Sequence, residues 1–244
     1  MAYPCWQTGY TIPYAMTLQA EYNGGGLQSV TFTAGTHYDS IYDLVQALAT
    51  KCQTACGGTW TAGIHSSGVS LGKVTIYVAA NTLRIVWGTD TTIRDGLGFA
   101  GDLTPAAILF TATSAHWGGW YPDDVGALRD IQEGTSSGSR GWRTSSTCCS
   151  VATNEPTQPG TMTIRASTPL GQGTGNLVQL YTMIEWLNTV MDGETFALCL
   201  DRTDQATHTI YRLGPELTEV SVSSPETAPN QYWTTTIPVW EVAP

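Results

Sequence analysis

The chain has 244 residues, of which 41% are hydrophobic, and this is enough apolar material to build a core. Charged residues make up only 12%, about half of the usual share of roughly 25%. The net charge is −10, and the 10 lysines and arginines are spread singly along the chain. Because phosphate binding requires clustered cations, this composition argues against direct nucleic-acid binding.

The sequence predicts neither a secretion signal nor a membrane span. It does not begin with a basic segment followed by an apolar run, and no stretch approaches the roughly 18 apolar residues that a membrane helix needs. The six cysteines are Cys5, Cys52, Cys56, Cys148, Cys149 and Cys199. Free thiols are favoured over disulfides because the chain is large for a disulfide-stapled scaffold, and no CxxC pair indicates zinc.

The first 27 residues lack a regular apolar pattern. Pro4, Pro13 and the glycines 24–26 interrupt any periodicity. Residues 1–27 are therefore predicted to be an irregular N-terminal arm that docks elsewhere.

A first β-rich unit is predicted for residues 28–122, with one helix near residues 40–52. Apolar side chains recur in that helix at positions 41, 44, 45 and 48, and so form a single stripe. Either Asp39 or Ser40 can cap the helix, and Asp43 then approximates the third position of a capping box.

The most strongly patterned stretch is residues 72–103, which read GKVTIYVAANTLRIVWGTDTTIRDGLGFAGDL. Two alternating apolar segments flank a short polar turn at Asn81, and this pattern predicts a β-hairpin. A one-turn helix and a glycine-studded loop follow. We expect this stretch to close a corner of the core through four side chains: Trp87, Leu97, Phe99 and Leu103.

From residue 123 to residue 159 the composition changes to Gly, Ser, Thr and Pro, which predicts a long connector or extended loop. Residues 160–244 then repeat the order of the first unit, namely a strand, a helix near residues 176–192, and further strands. The predicted fold class is therefore a β-rich α+β protein, with two similar β-sandwich-like units that each carry one packed helix.

Residues with recognisable chemistry are scarce. No GxSxG or HExxH motif occurs, and none of the four histidines has a partner motif. The sequence therefore predicts no catalytic residue, no cofactor and no metal ligand. Asp123, Asp124 and Asp130 fit a solvated acidic loop better than a calcium site, since the EF-hand spacing is absent.

The nine tryptophans suggest carbohydrate binding, because aromatic rings stack on sugars. Trp117, Trp120 and Tyr121 are the candidate glycan or interface contact. The alternative, which is favoured, is that these side chains are core or interface anchors.

The stretch 72–103, followed by Trp120-Tyr121-Pro122, resembles a motif of structural proteins of tailed bacteriophages. In that motif a G-[RK]-V-T-I hairpin runs into T-x-[LI]-R-D-x-L-G-F-[TA]-G-x-L and later into W-x-P; here Gly96 replaces a more usual Leu. The second half is also similar, at a short set of positions: Trp186-Leu187, Asp192-Gly193, Phe196 and Tyr232-Trp233-Thr234.

This resemblance implies a non-enzymatic structural component of a phage particle, of the tail, head–tail connector or baseplate. It implies assembly in the host cytoplasm into the virion, as a ring-like homo-oligomer that also contacts other virion proteins. No catalytic residues carry over from it, and membrane or sequence-specific nucleic-acid partners are not expected. A receptor- or glycan-binding fibre or decoration module is the alternative, and a virion-associated hydrolase is a third reading.

Overall fold

The computed structural model describes residues 3–88, 91–123, 127–132, 160–169, 178–191, 194–214 and 230–242. The helices of these residues are Ile41–Cys56 (α1), Thr92–Gly96 (α2) and Val178–Met191 (α3). The strands are Cys5–Thr8 (β1), Tyr10–Thr11 (β2), Met16–Tyr22 (β3), Gln28–Phe32 (β4), His37–Tyr38 (β5), Trp60–Ile64 (β6), Val74–Val78 (β7), Leu83–Val86 (β8), Leu103–Ala107 (β9), Leu109–Thr111 (β10), Gly119–Trp120 (β11), Leu128–Gln132 (β12), Gly160–Pro169 (β13), Thr195–Cys199 (β14), Thr209–Leu213 (β15) and Asn230–Glu241 (β16).

These strands form antiparallel sheets, and the predicted β-rich α+β class is confirmed. A four-stranded sheet has the order β4-β3-β8-β9, and a three-stranded sheet has the order β10-β7-β6. A seven-stranded sheet has the order β11-β1-β14-β15-β16-β13-β12, and β2 pairs with β5.

The first core is enclosed by the four-stranded sheet, the three-stranded sheet and α1. The predicted stripe of α1 is buried along its length, because helical spacing places these apolar side chains on one face. Ser40 caps the helix by accepting a hydrogen bond from the Asp43 backbone N–H. The helix continues past the predicted end to Cys56, and Gly57 then ends it with a φ of 74°.

The predicted hairpin of β7 and β8 is wrong, because the two strands lie in different sheets. β7 pairs with β6 and β10, whereas β8 pairs with β3 and β9. The connection between them is bonded to both sheets: the Ala79 N–H donates to Thr59 O, and Thr82 O accepts from the Asn23 N–H. Alternating apolar residues specify which face is buried, but they do not specify which strand is the neighbour.

The four residues of the predicted corner, Trp87, Leu97, Phe99 and Leu103, all lie in the first core. The Trp87 indole N–H donates to Gly101 O at 3.1 Å, and its backbone N–H donates to Asp102 Oδ1 at 2.9 Å. Gly98 has a φ of 80° and lies against the Ser114 carbonyl, so a side chain at this position would collide with backbone. The glycine-studded loop is thus held by backbone contacts and aromatic packing.

The predicted N-terminal arm is wrong at the level of secondary structure. β3 lies in the four-stranded sheet with Met16, Leu18 and Ala20 buried at alternate positions. β1 lies inside the seven-stranded sheet, between β11 and β14. The beginning of the chain therefore contributes strands to both halves of the molecule.

The second core lies between the seven-stranded sheet and α3. The predicted connector contains β12, which pairs with β13 at the edge of that sheet. The rest of the predicted connector, at 124–126 and 133–159, lies outside the described residues, as do Cys148, Cys149 and a strand predicted at 218–223. The proposed domain boundaries themselves stay a prediction.

Candidate functional site

Alternate side chains of β1 and β14 enter opposite cores. Trp6 and Leu198 lie in the second core, whereas Cys5 and Cys199 lie in the first. This alternation follows from the pleat of a strand whose two faces are both covered. Beside the face that points toward the first core lies a set of buried side chains from β1, β14 and the turn after β14. We call this set the junction cluster: Cys5, Gln7, Cys199, Arg202 and Gln205.

The two glutamines of the junction cluster connect four parts of the fold. Gln7 Nε2 donates to Gln205 Oε1 at 2.5 Å, and Gln7 Oε1 accepts from the backbone N–H of Tyr42 in the first turn of α1. Gln205 Nε2 donates to the carbonyls of Ile64 in β6 and Arg202. Each of these amides is fully or almost fully buried, so the hydrogen bonds are needed to avoid the cost of unpaired polar groups.

Arg202 is a nearly buried cation whose partners come from the other half of the molecule. Its side chain is 8% exposed, and its guanidinium donates to Pro122 O at 3.0 Å and to Asp123 Oδ1 at 3.4 Å. The guanidinium carbon also lies 4.5 Å from the ring centroid of Tyr3. Arg202 therefore fastens the turn between β14 and β15 to the end of the first unit and to the beginning of the chain.

An ion pair joins the same turn to α1. His208 Nε2 lies 3.4 Å from Asp43 Oδ2, and His208 Nδ1 donates to Gln205 O at 3.0 Å. Asp43 raises the pKa of His208 to about 9. Burial alone would raise the pKa of Asp43, but hydrogen bonds from His208 and Ser40 outweigh burial and lower it. Both groups are therefore charged at neutral pH.

Cys5 and Cys199 are directly opposite each other across β1 and β14, and both thiols are free and buried. The neighbouring Cys5 thiol lowers the pKa of Cys199, and burial opposes this effect. The pKa of Cys5 is raised by Cys199 and by burial. The Cys199 thiol donates to Gln205 O at 3.9 Å. The positive charge of His208 lowers the pKa of Cys199 further, whereas Asp43 and Asp204 raise it.

A second buried pair, His116 and Tyr121, lies nearby. His116 Nδ1 is 2.8 Å from Trp117 O, and its Nε2 is 2.6 Å from the Tyr121 hydroxyl. Since a carbonyl oxygen only accepts, the Nδ1 carries the proton and Nε2 accepts from Tyr121. Burial lowers the pKa of His116 to about 4, so this histidine is neutral at pH 7.

The structure separates the three aromatic residues of the predicted glycan or interface contact. Trp117 is 46% exposed, whereas Trp120 is fully buried and Tyr121 is buried. Trp120 stacks on Trp6 with ring centroids 4.4 Å apart and also packs on Trp186. The three side chains therefore do not form one exposed platform.

Sequence reasoning missed the junction cluster because it consists of isolated residues that become neighbours only through sheet pairing. A surface pocket of about 180 Å³ lies beside it, and its lining includes Leu198, Leu200, Asp204 and His208. In the described part of the chain, no group of three or more His, Cys, Asp or Glu residues is placed to hold a metal ion. None of the described helices is long and apolar enough to cross a bilayer.

The fold is that of a β-rich α+β protein, and the buried side chains of the junction cluster lie between its two cores. Comparison of the chain with protein-family models, with curated proteins and with solved structures found no match.

Proposed function

We propose that this chain is a non-enzymatic structural subunit of a tailed-phage particle, and that it forms a ring-like homo-oligomer in the tail, head–tail connector or baseplate. The observation that carries the proposal is the resemblance of residues 72–103 to phage structural proteins. Most of the large apolar residues of this stretch lie in the first core, and its glycine-studded loop is held by backbone contacts. The motif therefore shapes the fold rather than binding a substrate, as expected for a structural protein.

The connection between the two halves also supports a mechanical role for the subunit. β1 and β11 belong to the seven-stranded sheet, although the intervening chain builds the first core. Gln7, Gln205 and Arg202 of the junction cluster add buried hydrogen bonds between the two halves. Separating the halves would expose these polar groups and break strand pairing, so the subunit is suited to transmit force as one body.

The outer face of the three-stranded sheet supports subunit contact. Tyr77 and Leu109 are directly opposite each other across β7 and β10 and are 39% and 53% exposed. Ile108 is 57% exposed beside them, and Thr61 is the partner of Tyr77 on the other side. Exposed apolar and aromatic side chains that lie side by side are typical of protein interfaces.

The oligomeric state tests this proposal. We expect the purified chain to form a closed oligomer in light scattering and cryo-EM. The double variant Tyr77→Glu with Leu109→Glu should shift it toward the monomer, because two charges would be placed in the contact. Val69→Glu is the matched control, since Val69 is 99% exposed and lies outside this sheet face. A chain that stays monomeric at high concentration and is absent from purified particles by mass spectrometry would sink the proposal.

A glycan- or receptor-binding role is the second candidate, and one observation favours it. Two exposed aromatic side chains lie at the ends of α2: the Tyr14 hydroxyl is 3.2 Å from Thr92 Oγ1, and the Trp117 N–H donates to Gly96 O. We expect Trp117→Ala to abolish binding on a glycan array if this is the site. Tyr181→Ala is the control, because Tyr181 is 56% exposed on α3. Equal signals from both variants would rule this surface out.

A further inference from the structure

We propose that Cys5 and Cys199 are a thiol oxidation site, at which a peroxide converts the two thiols into a disulfide that fastens β1 to β14. The site lies beyond the proposed role in a particle and does not depend on it, because a single chain contains both thiols.

The strand register provides the geometry. Cys5 is the direct partner of Cys199, and the Gly9 N–H donates to Thr195 O four residue pairs further along. Since hydrogen-bonded pairs alternate along antiparallel strands, Cys5 and Cys199 also form a hydrogen-bonded pair. Such pairs hold their Cα atoms about 5.5 Å apart, which lies within the range of about 4.4–6.8 Å that disulfides span. Their Cβ atoms lie about 5 Å apart, so the two strands must approach by about 1 Å for the bond to form.

The surroundings differentiate the two thiols in the way that oxidation requires. The neighbouring Cys5 thiol and the positive charge of His208 lower the pKa of Cys199, so we assign Cys199 as the attacking sulfur. The pKa of Cys5 is raised, so Cys5 is the resolving thiol. Cys52 and Cys56 on α1 differ, because burial raises the pKa of each and no cation offsets that effect.

A surface pocket lies beside the strand that carries Cys199. The pocket has a volume of about 180 Å³ and is lined by Leu198 and Leu200, the two neighbours of Cys199 in the chain, and by His208. Cys199 itself does not line the pocket and is fully buried, so an oxidant reaches the thiol only through local opening of the structure. We therefore expect small peroxides to react at this site before bulky reagents do.

The reaction balances with peroxide as the only oxidant. The Cys199 thiolate attacks one peroxide oxygen, the O–O bond breaks, and the leaving oxygen takes up a proton to leave as water. Cys199 is then a sulfenic acid. The Cys5 sulfur attacks the Cys199 sulfur, the S–O bond breaks, and a second water leaves with the remaining proton. Two thiols and one peroxide give one disulfide and two waters.

The disulfide would join the beginning of the chain to a strand nearly two hundred residues later. Because it closes so long a loop, it should stabilise the folded state by restricting the unfolded chain. The dithiol form is expected in a reducing cytoplasm, and the disulfide form outside the cell.

Peptide mapping of the intact protein tests the proposal. The protein is treated with hydrogen peroxide, quenched by alkylation, digested without reduction and analysed by mass spectrometry. We expect a linked peptide that contains Cys5 and Cys199, and a loss of two titratable thiols per chain under denaturing conditions. We also expect the melting temperature to rise by about 5–10 °C and to return to its original value with dithiothreitol.

Matched variants decide between this site and general oxidation. Cys5→Ser and Cys199→Ser should lose the linked peptide and the rise in melting temperature, whereas Cys52→Ser should retain both. If the Ser variants do not fold, the reversible shift in the wild-type protein together with its peptide map is sufficient. The proposal is overturned if peroxide gives only sulfinic or sulfonic acid at Cys199, or if wild-type protein forms no Cys5–Cys199 peptide.

Discussion

The ion pair between His208 and Asp43 should make the protein less stable at alkaline pH. The difference between an ordinary histidine pKa of 6.5 and a folded-state value of about 9 corresponds to about 3 kcal/mol at 1.36 kcal/mol per pH unit. The Asp43 side chain is 36% exposed and that of His208 is 12% exposed, so solvent screens the pair. We therefore expect a contribution of about 1–2 kcal/mol.

The sign follows from proton linkage. The folded protein retains the His208 proton between pH 6.5 and about 9, whereas the unfolded chain loses it. The contribution is therefore complete below pH 6.5 and is lost as the pH rises through about 9. Urea unfolding at half-unit steps from pH 6 to pH 10 measures this loss. Asp43→Asn should lower the free energy of unfolding at pH 6 and converge with the wild type near pH 10.

Asp39→Asn is the matched control for this experiment. Asp39 is also next to the beginning of α1, but its partner is the exposed His37, at 3.6 Å. An effect of charge on the helix terminus alone would appear in both variants and would not change between pH 6 and pH 10. If Asp43→Asn and the wild type differ by the same amount at both ends of this range, His208 does not carry the raised pKa and the reasoning is refuted.

Three further predictions concern the core and the buried histidine. Trp87→Ala should lower the free energy of unfolding by about 3–5 kcal/mol, because Trp87 is buried. The exposed Trp117 is the control, and Trp117→Ala should change this free energy by less than about 0.5 kcal/mol. A loss below about 1 kcal/mol for Trp87→Ala would show that the corner formed by residues 87–103 is not part of the core. Gly98→Ala should lower the free energy of unfolding by about 1–3 kcal/mol, because Gly98 has a positive φ and a Cβ there would meet the Ser114 carbonyl. Gly101→Ala is the control and should be nearly neutral in the same urea titration, because a Cβ at this position meets no atom within 4 Å. The folded-state pKa of His116 is about 4, so burial of this neutral histidine contributes fully to the free energy of unfolding above pH 6.5. That free energy should fall by about 3 kcal/mol as the pH drops from 6.5 to 4. His116→Asn should lack this dependence on pH, and a variant that keeps it would assign the dependence to other groups.

The parts of the fold that sequence reasoning predicted well are those fixed by local patterns. The stripe of α1 and its Ser40 cap depend on helical spacing and on a hydrogen bond between residues three apart. The burial of Trp87 and Phe99 likewise follows from their apolar character in a patterned stretch. Such features involve few residues that are close in the chain, so they can be read without knowledge of the neighbours.

The candidate site could not be predicted in this way. Cys5 and Cys199 are 194 positions apart, and only the pairing of β1 with β14 makes them neighbours. The segment of β1 has no alternating pattern, because both of its faces are buried in different cores. The alternation of Met16, Leu18 and Ala20 in β3 was available as a signal, but the flanking glycines and prolines favoured an irregular arm.

The stretch 72–103 shows most clearly what each level of information decided. The sequence by itself determined that its apolar residues face a core and that its glycines permit a tight, backbone-held loop, since both depend on side-chain character and local backbone freedom. Only the tertiary structure decided that β7 and β8 belong to different sheets, and that β1, at the beginning of the chain, lies inside the seven-stranded sheet. Strand partners are chosen by the packing of the whole chain, and an alternating strand presents the same backbone hydrogen-bonding groups to any neighbour.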